Sequence, residues 1–122
     1  MTLPRQVEEL IAGCIDSIET LEILLLLQRS PDTFWRPAAV GSHLGMGEGT
    51  AEKRLAGLLG RELVTKGTSG GYRYTPKDDE VREHVSALAA AYAEQRAAVV
   101  NAVFGENLTR IRAFADAFKV NE

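Results

Sequence analysis

The chain has 122 residues, with 14 basic and 17 acidic side chains and a formal net charge of −3. This length suits one domain with its own hydrophobic core, and the 45% hydrophobic and 25% charged composition excludes global disorder. A single cysteine excludes an internal disulfide framework and fits a reducing compartment. Apolar runs such as Ile23 to Leu27 are too short to span a bilayer, and no signal-peptide pattern is present. We therefore expect a cytoplasmic protein.

The charge is distributed unevenly along the chain. Residues 1–32 sum to −4, residues 33–77 to +4 and residues 78–122 to −3. Nine of the 11 glycines lie between positions 41 and 71, so turns concentrate in the same basic segment. The acidic total argues against a polyanionic partner, but the basic centre leaves one open.

The first third of the chain is predicted to be helical. Helical spacing of apolar residues predicts helices over 4–14 and 17–29. The second is apolar on nearly every side, which is typical of a buried central helix. Asp16 and Glu19 have the spacing of a capping box at its start. A short extended stretch is expected at 33–35.

The centre is predicted to hold two short helices and a hairpin. Pro37 suits the first turn of a helix over 37–44. After a glycine turn, Thr50 is the expected cap of a helix over 50–62. Strands at 63–66 and 72–75 are then predicted on either side of a glycine-rich loop at 67–71.

The C-terminal part is predicted to be one uninterrupted helix over 77–104, capped by Thr75, and a last helix over 107–118. The long helix carries two series of residues that repeat every seven positions, as in a coiled-coil seam. We therefore expect homodimerisation through Val81, Val85, Leu88, Tyr92, Val99, Phe114 and Phe118. The alternative is that the stripe packs on the first helices of the same chain.

This order of elements resembles the small bacterial winged-helix transcription regulators of the broad MarR, ArsR and PadR type, over about residues 16–76. The supporting positions are Leu21, Leu24, Leu25, Val40, Leu44, Leu55, Leu58, Gly60 to Val64 and Tyr72 to Pro76. The expected fold is mainly α with a small β-hairpin wing. It comprises an accessory helix in 1–15, a winged helix-turn-helix domain in 16–76 and long C-terminal dimerisation helices in 77–122.

The resemblance implies a homodimeric DNA-binding transcriptional regulator, with repression as the expected direction. Its recognition helix, over 50–62, would enter the major groove of double-stranded DNA, and the wing would hold phosphates. The candidate DNA-binding residues are Arg36, Ser42, Thr50, Lys53, Arg54, Arg61, Lys66, Thr68, Ser69 and Arg73. Among them Lys53, Arg54 and Arg61 are candidates for phosphates or guanine edges.

Two other interpretations remain open. The outward face of helix 50–62 is rich in Gly and Ala and has no Asn or Gln for adenine, which favours backbone contact and shape readout over base discrimination. Because exposed Lys and Arg are often only solvating, the domain could instead be a protein-interaction module that does not bind DNA. A third interpretation adds a small-molecule effector bound between the dimerisation helix and the winged domain.

No signature of catalysis is found in the sequence. His43, His84 and Cys14 lack the spacing of metal ligands. A nucleophile elbow, a P-loop and a dinucleotide fingerprint are all missing, since the glycines at 45–49 lack the pattern that should follow them. We expect neither an enzyme nor a bound cofactor or metal.

Overall fold

The computed structural model describes residues 3–105 and is mainly helical with one small sheet. The elements are α1 (Arg5–Cys14), α2 (Ile18–Arg29), α3 (Pro37–Leu44), α4 (Glu48–Gly60), β1 (Val64–Lys66), β2 (Tyr72–Tyr74) and α5 (Asp79–Glu94). Residues 96–105 are also helical. The predicted helix-rich fold with a hairpin is therefore confirmed, and the helix predicted over 107–118 lies outside the described residues.

The core is built around α2. Thr20, Leu21 and the five residues from Ile23 to Leu27 are all buried, so this helix is covered on most of its faces, as its composition predicts. It packs against α3, α4 and β2. A continuous apolar cluster extends from α1 through α2 and α4 to the helical residues 96–105.

A tight glycine turn joins α3 to α4. Pro37 occupies the first turn of α3, where its missing N–H costs no helical hydrogen bond. Gly45 ends the helix in the left-handed conformation with φ 74°, which glycine adopts without steric cost. The backbone N–H groups of Gly45 and Met46 both donate to the Gly41 carbonyl, at 2.8 and 3.0 Å. The turn thereby fixes how α4 leaves α3.

The hairpin is joined to the segment before α3. Strands β1 and β2 are antiparallel, with Val64 opposite Tyr74 and Lys66 opposite Tyr72. On the other side of β2, Trp35 forms an isolated antiparallel bridge with Tyr72. The two residues exchange both backbone hydrogen bonds, at 2.7 and 2.8 Å. The extended stretch predicted at 33–35 thus adds a single pairing to the sheet edge.

The predicted helix caps are wrong at three positions. Ser17, and not Asp16, caps α2, because its Oγ accepts from the Thr20 backbone N–H at 3.1 Å. Gly47 precedes α4, so Thr50 lies inside the first turn. Asp78, and not Thr75, caps α5 by accepting from the Val81 N–H at 2.9 Å. In each case the side chain or backbone nearest the actual first turn takes the capping position.

The helix predicted to be uninterrupted over 77–104 is broken at Gln95. Helix α5 ends at Glu94, and Gln95 has φ −134° and ψ 52°, outside helical geometry. Helical structure resumes at residue 96, and the Gln95 carbonyl accepts from the Val99 N–H at 3.1 Å. The break ends the straight seam that the heptad pattern predicts.

The seven-residue stripe is covered by the chain itself. Val85, Leu88 and Val99 are fully buried, while Val81 and Tyr92 are partly buried against the same core. Helix α1 packs directly on α5. At Val85, Leu88 and Val99 the stripe therefore packs within one chain, which is the alternative that the sequence leaves open. Homodimerisation stays a prediction, and Phe114 and Phe118 lie outside the described residues.

Replacing Gly41 by alanine should destabilise the turn between α3 and α4. An added Cβ would lie 2.6 Å from the Met46 carbonyl oxygen, and this is a backbone atom that cannot rotate away. We expect Gly41→Ala to lower the free energy of unfolding by about 1–3 kcal/mol, measured by urea denaturation. Gly13→Ala in α1 is the matched control, because among residues 3–105 no atom outside its own helical turn lies within 4 Å of its added Cβ. Equal stability of the two variants would contradict the close approach.

Replacing Leu88 by alanine tests whether the stripe is core or seam. Since Leu88 is fully buried within one chain, Leu88→Ala should cost about 2–5 kcal/mol of unfolding free energy. The loss should be the same at low and high protein concentration, as thermal unfolding can show. Ser86→Ala, at an exposed position of the same helix, should have little effect. A loss that changes with concentration would instead indicate a seam between copies.

Candidate nucleic-acid interface

The predicted DNA-binding residues lie on every element from the start of α3 to β2. Arg36 directly precedes α3 and Ser42 lies within it; Thr50, Lys53 and Arg54 lie on α4 and Arg61 directly follows it; Lys66 is in β1, Thr68 and Ser69 are in the hairpin loop, and Arg73 is in β2. Thr50, Arg54 and Arg73 are half-buried and the others are exposed. Their side chains differ sharply in what they contact.

The outward face of α4 carries one long side chain. The residues buried against the core are Ala51, Leu55 and Leu58. On the opposite face the helical spacing brings together Gly49, Lys53, Ala56 and Gly60, and all four are exposed. The thin outward face that the sequence predicts is thus present, with Lys53 as its single charge.

Arg54 is turned toward α2. Its guanidinium lies 3.1 Å from the Glu19 carboxylate and 3.9 Å from that of Asp16. The Arg54 side chain is only 25% exposed. This cation therefore ties α4 to the start of α2, and the structure does not present it as a free DNA contact.

The same contact perturbs the Asp16 carboxylate. Burial raises its pKa, but the hydrogen bond from Thr20 and the charges of Arg54 and Arg61 outweigh burial, so the net pKa is lowered. The Thr20 hydroxyl donates to Asp16 at 2.7 Å. Asp16 thus stays ionised as a partner for Arg54, although it does not cap the helix as predicted.

Arg61 is held by carbonyl oxygens. Its guanidinium donates to the Gly13 carbonyl at 3.2 Å and to the Gly57 carbonyl at 3.3 Å. It bridges the end of α1 to the end of α4 and keeps its positive charge near the Cys14 thiol. Burial raises the pKa of that thiol, and the Arg61 and Lys77 charges offset part of the rise.

Lys66 pairs with a carboxylate on α4. Its ammonium lies 3.7 Å from Glu52 and 5.4 Å from the centre of the Tyr72 ring. Glu52 also accepts a hydrogen bond from the Tyr72 hydroxyl at 2.9 Å. Burial and the Glu52 carboxylate raise the pKa of Tyr72, so the phenol remains a donor at neutral pH. This trio fastens the hairpin to α4.

Phe34 is a surface residue that the sequence did not single out for this site. Phe34 lies close to both ends of the hairpin loop. An added Cβ at Gly67 would lie 2.9 Å from the Phe34 ring, and one at Gly71 would lie 3.0 Å from the Phe34 Cβ. The Arg73 guanidinium lies 4.8 Å from the ring centre. Phe34 is still 45% exposed. The two loop glycines are needed here because they let an aromatic side chain lie across the hairpin.

Arg36 and Lys53 are the candidate cations that make no ion pair, side-chain hydrogen bond or ring contact among residues 3–105. Arg61 also lacks a carboxylate partner there, but its guanidinium contacts carbonyl oxygens. Arg36 and Lys53 are both exposed, as are the hydroxyl-bearing residues Ser42, Thr68 and Ser69. A guanidinium, an ammonium and short hydroxyls are groups that bind phosphate oxygens. The positive charge of Arg73 is likewise not paired with a carboxylate among residues 3–105, since its guanidinium lies over the Phe34 ring.

An open groove lies where the effector was predicted, between α2 and α5. Its volume is about 400 Å³, and its lining includes Leu25, Gln28, Arg29, Ala89, Tyr92 and Arg96. The Arg96 guanidinium lies over the Tyr92 ring at 4.8 Å. The effector itself stays a prediction.

Within the described residues, no group of three or more His, Cys, Asp or Glu side chains has the geometry to hold a metal ion. No helix in that same range has the length and hydropathy needed to cross a membrane. Comparison of this chain with protein-family models, curated proteins and solved structures gave no match. The contacts and exposure of the candidate residues are therefore the features that bear on function.

Replacing Asp16 by asparagine should make stability less dependent on acidic pH. The folded pKa of Asp16 is lowered, so its contribution is present above the unfolded value of about 3.9 and is lost as pH falls through the folded value. Asp16→Asn should cost about 1 kcal/mol or less at pH 7, because the site is partly solvated. The difference from the parent should shrink below about pH 4.

Urea denaturation across this pH range provides the measurement. Asp32→Asn is the matched control, since Asp32 is exposed and the variant loses the same charge. A stability difference for Asp16→Asn that is constant from pH 7 to pH 3 would contradict the contact with Arg54.

Proposed function

We propose that this protein is a winged-helix transcriptional regulator that binds double-stranded DNA as a homodimer, with repression as its expected effect. The observation that carries the proposal is the backbone pairing of Trp35 with Tyr72. It joins the segment before α3 to the hairpin after α4. The helix pair and the hairpin are thereby held as one unit, as recognition of a groove and its flanking phosphates requires.

The charge of the surface supports a polyanionic partner. Arg36 and Lys53 are exposed without a carboxylate partner among the described residues, and Arg73 lies beside the hairpin loop on the Phe34 ring. Thr68 and Ser69 add exposed hydroxyls in the hairpin loop. Such groups position a protein on the sugar-phosphate backbone. The acidic segments on either side, −4 and −3, limit the strength of non-specific attraction.

The homodimer is proposed from the requirement for two DNA-reading units and from an exposed apolar side chain. Paired winged domains would contact half-sites about one helical turn apart. Val85, Leu88 and Val99 of the heptad stripe are already buried, whereas Phe104 at the end of the described helix is 54% exposed. We place the proposed contact between copies near this end of the described chain.

A protein-interaction module that does not bind DNA is the second candidate function. The observation that favours it is the pairing of Arg54 with Glu19 and Asp16, which removes a cation from the predicted recognition helix. The face that remains on α4 is mostly Gly and Ala. Such a smooth surface fits close approach of another protein as readily as approach of a groove.

Removing Arg36 or Lys53 should weaken DNA binding and its dependence on salt. Each cation that contacts a phosphate releases counterions, so the loss of such a cation should reduce the magnitude of the negative slope of log K against log salt by about 0.9. For Arg36→Ala, affinity at low salt should fall for every duplex tested. Fluorescence anisotropy with labelled genomic duplexes, including the upstream region of its own gene, gives both quantities.

Arg5→Gln is the matched control for this experiment, because it removes one positive charge from an exposed ion pair on α1. Its salt slope should equal that of the parent. If the parent binds no duplex at low salt, and a partner protein from lysate is retained after nuclease treatment, the interaction module replaces the DNA-binding proposal.

A further inference from the structure

We infer that Lys53 is the only side chain of α4 that pairs with a base edge by hydrogen bonding, so that one copy of the domain distinguishes duplexes of unrelated sequence by no more than about 150-fold in affinity. This inference rests on the proposed function. It changes what that function implies, because sequence choice would come from a single contact in each half-site.

The outward face of α4 has one side chain long enough to reach a base edge. A helix docked in the major groove reads bases with the side chains opposite its buried face. On α4 these are Gly49, Lys53, Ala56 and Gly60, all exposed. Neither glycine has a side chain, and alanine contributes only a methyl group. Lys53 alone can reach the acceptor edge of guanine.

The two residues next to Lys53 in the sequence already contact other elements of the fold. Arg54 is held by Glu19 and Asp16, and Glu52 accepts from Tyr72 and pairs with Lys66. Glu52 and Arg54 are the two long side chains of α4 that adjoin Lys53 in the sequence. Thr50, one turn earlier, is half-buried, and Glu48 lies about 140° from Lys53 around the helix. Turning Glu52 or Arg54 toward DNA would break its contacts between α4 and another element of the fold. Both side chains are therefore unavailable for contact with bases.

The exposed polar residues at the start of α3 and in the hairpin loop lie outside the recognition helix. Arg36, Thr68 and Ser69 are exposed, but they lie outside α4, at the start of α3 and in the loop of the wing. In a winged-helix arrangement these flanking elements contact sugar and phosphate. Their contribution raises affinity for all sequences equally. The expected selectivity is therefore the discrimination of one side chain against the wrong base.

A single base contact limits how much more tightly one copy of the domain binds its preferred duplex than other duplexes. One good contact with guanine discriminates by about 5- to 150-fold. Specific regulators bind their sites about 10³- to 10⁷-fold more tightly than other DNA. A half-site read by Lys53 alone should therefore fall well short of a specific site.

The experiment uses the full chain and duplexes of about 12 base pairs, which hold one half-site of a paired site. A duplex pool with a randomised centre is selected by binding at low salt, and the affinity of the best recovered duplex is compared with that of the starting pool. We expect a ratio of at most about 150-fold, with the preference confined to one guanine.

Two variants separate base reading from charge. Lys53→Ala should reduce the ratio to about 1, whereas Arg36→Ala should weaken binding to all duplexes by the same factor and leave the ratio unchanged. Lys53→Arg should keep the guanine preference, because arginine also pairs with that edge. Both alanine variants lose one positive charge, so their difference isolates the role of position.

The outcomes are distinguishable from failure of the proposed function. Absence of binding to any duplex at low salt would overturn DNA binding itself, and this inference with it. Binding with a ratio above about 10³, or a preference that survives in Lys53→Ala, would leave DNA binding standing and overturn the inference alone. A ratio within the expected range that is lost only in Lys53→Ala supports it.

Discussion

The burial of α2 is the constraint on which the rest of the described structure depends. Leu21 and the residues from Ile23 to Leu27 are all at most 7% exposed. Burial of each of these side chains stabilises the folded chain by about 1.5–3 kcal/mol relative to its exposure to water. The neighbouring elements must therefore cover this helix on most sides. Helix α4 is one of them, and its seat on α2 brings Arg54 to the carboxylates at the start of α2. The charge arrangement of the site is thus a consequence of packing.

Element positions followed closely from the sequence because apolar spacing reports backbone geometry directly. Helix α3 has the predicted bounds, since Pro37 and Gly45 mark its two ends by steric rules that need no tertiary partner. The caps were harder, because Asp16 and Ser17 are both able to cap and the first turn selects between them. The break at Gln95 has no Gly or Pro to announce it. Glutamine is a good helix former, so its intrinsic propensity predicts a continuous helix at this position.

The site was less predictable because its contacts join residues far apart in the chain. Lys53 and Arg54 are adjacent and chemically alike, yet they lie about 100° apart around the helix, so one faces outward and the other meets Glu19. Nothing local distinguishes them. The same holds for Phe34, whose ring lies against glycines more than thirty positions later. Composition identified a basic segment, but only the fold assigns each charge to a partner.

The net charge of +4 over residues 33–77 therefore overstates the charge available to a polyanion. Arg54 is opposed by Asp16 and Glu19 from the acidic N-terminal segment, and Lys66 by Glu52 from within the basic segment. The boundary between the acidic and basic segments does not exist in space, because their charges meet across α2 and α4. Within the described residues, the cations of the basic segment without a carboxylate partner are Arg36, Lys53 and Lys77, together with Arg61 and Arg73, which contact neutral groups. Since each contacted phosphate adds a fixed increment to salt dependence, the DNA binding that we propose would depend only weakly on salt and would owe little affinity to the phosphate backbone.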